Sequence, residues 1–324
     1  MSYIFKESTI MHTKTSVSHI KGVIPAMFST FDENEQLDLD RARVLIDYLI
    51  GEGVHGLYIT GSTGEGFLMS DEERKTFAQA VVSHVNGRVP VIVHVGAIGT
   101  LRSIDLAKHA QGIKADAISS VPPFYYYFSG DEIYRYYSDI SSAVDLPMIV
   151  YNIALAGLMN NDLVRRLASI DGVCGLKFTG TQHHDMATLK EELGPDFMIY
   201  SGCDEMATQG LLAGADGIIG SFYNIIPDTF GEIYQLCVNG EYQEAFEIQK
   251  IATSFILKAV KYGHFGIMKQ LMMDTGIDVG YVRRPFVHPN SQMMAEMWSF
   301  LDGLQQNHVD THMGFISRRE KQID

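Results

Sequence analysis

Residues 55–95 read HGLYITGSTGEGFLMSDEERKTFAQAVVSHVNGRVPVIVHV. The stretch opens on a short β-branched and aromatic run, His55 to Thr60, and closes on another, Val89 to Val95. Between them, Asp71 to Val85 carries apolar residues at three- and four-residue spacing, the mark of an amphipathic helix. Ser70 followed by Glu73 has the form of a capping box and sets the start of that helix. Strand, helix and strand in this order make a parallel unit. The nearly continuous apolar character of the second run fits a strand covered on both faces.

The unit recurs in both directions along the chain. Gly22 to Met27, Ala115 to Val121, Leu146 to Tyr151, Val173 to Phe178, Phe197 to Ser201 and Ala215 to Gly220 complete a set of eight candidate strands. Amphipathic segments such as Asp131 to Ala143 separate them. Eightfold alternation predicts an α/β fold, a (β/α)8 TIM barrel, with an open doubly wound sheet as the competing arrangement. Beyond the eighth strand, Glu241 to Tyr262, His264 to Thr275 and Ser291 to Gln306 read as additional C-terminal helices. The expected organisation is an N-terminal extension over 1–20, a barrel over 21–240, a helical appendage over 241–307 and a polar tail over 308–324. No Pro/Gly/Ser-rich linker divides the appendage from the barrel.

The 324 residues include 39 acidic and 25 basic ones, a formal net charge of −14, which argues against a general nucleic-acid binder. Three scattered cysteines, Cys174, Cys203 and Cys237, are too few for a disulfide framework or a Cys-rich zinc site. No apolar run approaches the ~18 residues of a membrane span. The first residues, MSYIFKESTIMHTKTSVSH, hold no signal-peptide core. The expectation is a soluble cytoplasmic protein with neither a nucleic-acid nor a membrane partner.

In a barrel of this kind the active site lies where the strands end at their carboxyl side. Reactive residue types gather there. The second strand delivers Gly61-Ser62-Thr63-Gly64-Glu65, the fourth Pro122 to Tyr127, and the fifth Tyr151-Asn152. The sixth carries Lys177 and Thr179, the seventh is followed by Gly202-Cys203-Asp204-Glu205, and the eighth by Gly220-Ser221. Lys177 interrupts an apolar run, so its side chain leaves the strand inside the barrel mouth. It reads either as a strand-end lysine reaching solvent or a carboxylate, or as a Schiff-base nucleophile. That chemistry uses the neutral amine, which desolvation favours in lysines generally.

The Gly61-to-Glu65 loop reads either as a capped tight turn or as a cradle of N–H groups and hydroxyls for a small carboxylate. It lacks the Gly-Lys-Ser/Thr ending of a nucleotide loop. Tyr151 reads either as a satisfied core tyrosine or as a proton relay beside Lys177. His183-His184-Asp185 invites a metal reading, but adjacent residues at a helix start diverge, and no metal site is expected.

On these residues the chain resembles the dihydrodipicolinate synthase/N-acetylneuraminate lyase family, over about Gly22 to Phe286. The markers are the G-S-T-G-E loop, the P-F-Y-Y segment, Tyr151-Asn152, the G-L-K strand and A-G-A-D-G-I-I-G-S. The resemblance implies a class I pyruvate aldolase and a homotetramer. It requires no cofactor beyond the covalent imine on Lys177. It places the imine on Lys177 and the proton relay on Tyr151 and Ser62. Pyruvate-carboxylate binding falls to Ser62 and Thr63. Tyr125 matches a tyrosine that reaches into a neighbouring subunit's site.

Thr179, Gly202, Asp204, Glu205, Gly220 and Ser221 match positions around the polyhydroxylated substrate in the lyase branch. Synthases of the family place an arginine shortly after the Tyr-Asn pair, and Ile153 to Gly157 contains none. The chain also departs from the family's Tyr-Asn-x-Pro pattern, lacking the proline and running about two residues shorter before Lys177. The resemblance thus implies reversible cleavage of N-acetylneuraminate to pyruvate and N-acetylmannosamine. The alternatives are a 2-keto-3-deoxy sugar acid aldolase or a dihydrodipicolinate synthase-like enzyme, a metal-dependent aldolase, and a catalytically silent barrel that binds a keto acid.

Overall fold

The β-branched runs form eight parallel strands. They are β1 (Gly22–Pro25), β2 (Leu57–Ile59), β3 (Val91–His94), β4 (Ala117–Ser120), β5 (Met148–Ile153), β6 (Val173–Thr179), β7 (Met198–Ser201) and β8 (Gly217–Gly220). Eight helices alternate with them: α1 (Leu39–Gly51), α2 (Asp71–Val85), α3 (Thr100–Gly112), α4 (Gly130–Ser142), α5 (Asn161–Ala168), α6 (His183–Leu193), α7 (Ala207–Leu212) and α8 (Pro227–Asn239). The computed structural model describes residues 16–307 and residue 314. The expectations for 1–15 and for the remainder of 308–324 lie outside the described residues.

Strand order β1-β8-β7-β6-β5-β4-β3-β2 is that of a wound barrel. Ala26 bridges Tyr58 in parallel, and the Met27 N–H donates to the Tyr58 carbonyl at 2.8 Å, which brings β1 and β2 together. That contact excludes the open sheet, whose first and second edges would stay apart. Helix starts follow local chemistry. Ser70 and Glu73 exchange bonds, Ser70 N–H to Glu73 Oε2 at 2.8 Å and Glu73 N–H to Ser70 Oγ at 3.2 Å, so the capping box opens α2 as its sequence predicts. Ser129 and Glu132 repeat the device at α4.

Alternation along the strands divides the core into two. Ile24, Ile92, Ile149, Met198 and Ile219 face the barrel axis, while Val23, Leu57, Val150 and Leu176 face the helices. Val17 and Ile20 join the inner core, and the Tyr200 hydroxyl donates to the Ile20 carbonyl at 2.9 Å. The last residues of the 1–20 segment therefore pack into the barrel interior. Beyond β8 and α8 come α9 (Tyr242–Val260), α10 (His264–Asp274) and α11 (Ser291–Asn307), the three helices expected there. Among the described residues no helix is long and apolar enough to cross a membrane.

Candidate active site

Period-two alternation fixes where Lys177 points. Leu176 and Phe178 belong to the outer core, so Lys177 between them faces inward; Cys174, also inward, precedes the register shift at which Met148 pairs with Val173 and Ile149 with Gly175. It is 4% exposed. Its register partner on β5 is Tyr151, and on β7 Tyr200. Lys177 Nζ lies 4.2 Å from the Tyr151 ring centroid and 4.6 Å from that of Tyr58, so two aromatic faces flank the amine. The two rings meet edge to face at 6.0 Å. Strand-end lysine reaching solvent is thus excluded by burial.

The end of β7 is shaped around this side chain and Thr179, and the end of β8 around Asp204. A Cβ at Gly202 would stand 2.0 Å from Thr179 Oγ1 and 3.2 Å from Lys177 Cε, so glycine there avoids a clash with Thr179 and a tight contact with the lysine stem. A Cβ at Gly220 would stand 2.2 Å from Asp204 Oδ1, which requires glycine there too. The buried Asp204 carboxylate accepts the Phe222 N–H through Oδ2 at 2.7 Å, and its carbonyl accepts from Gln249 of α9 at 3.0 Å. Burial pushes the Asp204 carboxyl up to about 7, with the Phe222 bond and the Lys177 charge acting in the opposite sense. Thr179 Oγ1 is buried without a hydrogen-bond partner.

The Gly61-to-Glu65 segment is a tight turn: Glu65 N–H donates to the Ser62 carbonyl at 3.0 Å, and Glu65 has φ 54°. Thr63 Oγ1 and Ser221 Oγ are 2.7 Å apart, joining the β2 and β8 loops across the barrel seam. Ser62 lines a cavity of about 460 Å³ together with Phe67, Phe124, Ile153, Phe265 and Phe286. Ile153 lies two residues beyond Tyr151 on the same face of β5, so the cavity sits one layer above the amine. After Tyr151 the loop is closed by Asn152, which accepts the Met159 N–H at 2.9 Å and donates to its carbonyl at 3.0 Å. This clasp shapes a loop that lacks the family's proline.

Lys177, Tyr151, Thr179, Gly202, Asp204, Gly220, Ser221 and Thr63 thus converge at one end of the barrel, with Ser62 at the mouth. Glu205 is exposed on the rim. Tyr125 does not join the site of its own chain. It is 83% exposed, with φ 80°, a left-handed conformation that is strained for a bulky residue. His183 Nε2 is buried without a partner near Gly210, while His184 is exposed, so the two rings part as their spacing predicts. Among the described residues no group of three or more His, Cys, Asp or Glu could hold a metal ion.

Three features escape the sequence reading. Tyr58 supplies the second wall of the amine, and its hydroxyl donates to Ser119 Oγ at 3.1 Å. Burial, aided by Tyr151, drives its phenol well above the usual range. Arg74 is buried behind it and donates to the carbonyls of His94 at 2.8 Å and Gly96 at 3.0 Å, bracing the end of β3. The appendage contributes His264, Phe265, Pro285 and Phe286 to the mouth.

Residues 19–303 match the Dihydrodipicolinate synthetase family. An N-acetylneuraminate lyase of Citrobacter koseri is 37% identical over 292 residues, which span 89% of this chain and 98% of that protein. A structure of a catalytic lysine mutant of the Ruminococcus gnavus sialic acid aldolase superposes with a TM-score of 0.85 at 28% identity, covering 90% of this chain and 98% of that one. A dihydrodipicolinate synthase of Bacillus anthracis superposes with a TM-score of 0.84 at 28% identity, covering 87% and 98%.

Proposed function

The chain belongs to the dihydrodipicolinate synthetase family, and on that premise we propose that it is a Schiff-base aldolase cleaving N-acetylneuraminate reversibly to pyruvate and N-acetylmannosamine. The observation that carries the reading is the inward Lys177 amine held against the ring of Tyr151. The relatives whose names are sialic acid aldolase or N-acetylneuraminate lyase support the substrate.

Lys177 Nζ attacks C2 of the open-chain keto acid, and loss of water gives a protonated imine on the lysine. The Ser62 and Thr63 loop holds the substrate carboxylate. Tyr151 takes the proton from the C4 hydroxyl, the C3–C4 electron pair moves into the iminium, and the aldehyde departs. The enamine left on Lys177 gains a proton at C3. Water then adds to the imine carbon, releasing pyruvate and the free amine. Asp204, with acceptor oxygens beside the reacting centre, receives hydroxyls of the sugar chain. Exposed and strained, Tyr125 enters the site of a neighbouring copy in a homotetramer.

Borohydride reduction in the presence of pyruvate, followed by peptide mass mapping, tests the chemistry. A reduced adduct on Lys177 is expected, and its absence overturns the mechanism. Cleavage assays on sialic acid and on 2-keto-3-deoxy sugar acids test the substrate. The sialic acid reading fails if only the latter are cleaved, and pyruvate binding without turnover of either would favour a silent barrel.

A further inference from the structure

The last residue of the G-S-T-G-E loop makes no use of its charge towards the ligand side. Glu65 has a fully buried side chain and spends both oxygens on the C-terminal part of the chain. Oε1 accepts from Lys269 Nζ of α10 at 2.7 Å, and Oε2 accepts the Arg283 backbone N–H at 2.7 Å. Lys269 is equally enclosed. Its two other bonds go to the carbonyls of Ser29 at 2.8 Å and Tyr281 at 2.7 Å, so all three ammonium protons are used. Arg283 is itself pinned, its guanidinium donating to Glu73, to the Leu68 carbonyl at 3.1 Å and to the Glu35 carbonyl.

A pair this deeply buried is not explained by stability. Removing two charges from water costs about as much as their attraction returns, and apolar pairs of the same volume often serve as well. What the pair does supply is position. Glu65 lies three residues after Ser62, in the same tight turn, and α10 begins with His264 and Phe265 in the wall of the same cavity. The ion pair therefore ties the carboxylate-binding turn to the helix whose first residues line the same mouth.

We propose that Glu65 is a positioning residue for keto-acid capture: through Lys269 and the Arg283 N–H it holds Ser62 and Thr63 at the distance from Lys177 that the substrate carboxylate spans. This rests on the pyruvate-imine reading above. The test is the dependence of borohydride-trapped Lys177 adduct on pyruvate concentration, in the full chain, for the parent, Glu65→Gln, Glu65→Asp and the double variant Glu65→Leu/Lys269→Met. Saturable trapping in the parent tests the imine itself, so failure there is distinct from failure of Glu65.

With the parent saturable, half-saturation is expected to rise about tenfold or more in Glu65→Gln and in the double variant, equivalent to 1.4 kcal/mol or more. Trapping at saturating pyruvate should change little, and Glu65→Asp should recover part of the loss. The double variant leaves no unpaired buried charge and keeps the test open should Glu65→Gln unfold. Parent-like half-saturation in the folded double variant, whatever the change in its thermal midpoint, overturns the proposal.

Discussion

Tyr151 and Lys177 face each other in register on adjacent strands, with the lysine Nζ 4.2 Å from the centre of the phenol ring. Parallel pairing of β5 with β6 sets that relation, and Tyr58 on the far wall closes it at 4.6 Å. The amine is therefore held by backbone register and ring packing, independently of the loops that receive the rest of a substrate. On the proposed mechanism imine formation and bond cleavage are separable, because the Tyr151 ring packs against the amine while its hydroxyl moves the proton.

Tyr151→Phe keeps the ring and removes only the hydroxyl. Trapping of pyruvate on Lys177 should persist, while turnover in the cleavage direction should fall by about 10²- to 10⁴-fold, the usual worth of a positioned acid–base group. Steady-state pyruvate release measured beside borohydride labelling checks both halves. Loss of labelling together with turnover would assign Tyr151 to holding the amine rather than to moving the proton.

Asp204 gives the site a pH dependence with a definite sign. Its carboxyl is pushed up to about 7 in the folded chain, chiefly by burial, against about 3.9 in an unfolded one. Between those values the folded chain keeps a proton that the unfolded chain releases, so stability falls as pH rises through this window. Below it the effect is absent, and above it the loss is complete, roughly 4 kcal/mol at most. Denaturant midpoints of Asp204→Asn should lack this slope. The aldehyde KM should fall as pH rises through 7 in the parent, where ionisation creates the better hydroxyl acceptor, and stay flat in Asp204→Asn. An unchanged KM profile in the variant would remove Asp204 from aldehyde binding.

The barrel was legible because its signals are local. Strand runs, the helix over Asp71 to Val85 and the Ser70–Glu73 cap each depend on residues a few positions apart. Lys177 was legible because a lysine in Val-Cys-Gly-Leu-Lys-Phe breaks an apolar run. Tyr58 was not, since an aromatic residue in a strand carries the same pattern whether it faces a lysine or another hydrophobe. Lys269 lay deeper still. It sits in α10 among apolar neighbours, which hints at burial, but its partner Glu65 is 204 residues away, and no periodicity encodes that distance. Tyr125 marks the opposite limit: its motif is plain, yet it is 83% exposed and stands outside the site of its own chain.

Gly202 joins the two kinds of information. Its role follows from the motif after β7, yet the reason is steric and visible only once β6 and β7 pair. A methyl group there would meet Thr179 Oγ1 at 2.0 Å and Lys177 Cε at 3.2 Å. Contacts of the first kind force a neighbour to move, at about 1–3 kcal/mol for an overpacked site. Thr179 ends its strand and can yield. Lys177 is flanked by two rings, so the tight 3.2 Å contact with its stem remains when Thr179 yields. Gly202→Ala should therefore fold, with a modest loss of thermal midpoint, and show slow imine trapping at every pyruvate concentration. Adding Thr179→Ala removes the closest clash and should restore much of the thermal midpoint but less of the trapping rate. Full recovery of trapping in that double variant would show that the hydroxyl of Thr179, rather than the lysine stem, is what Gly202 accommodates.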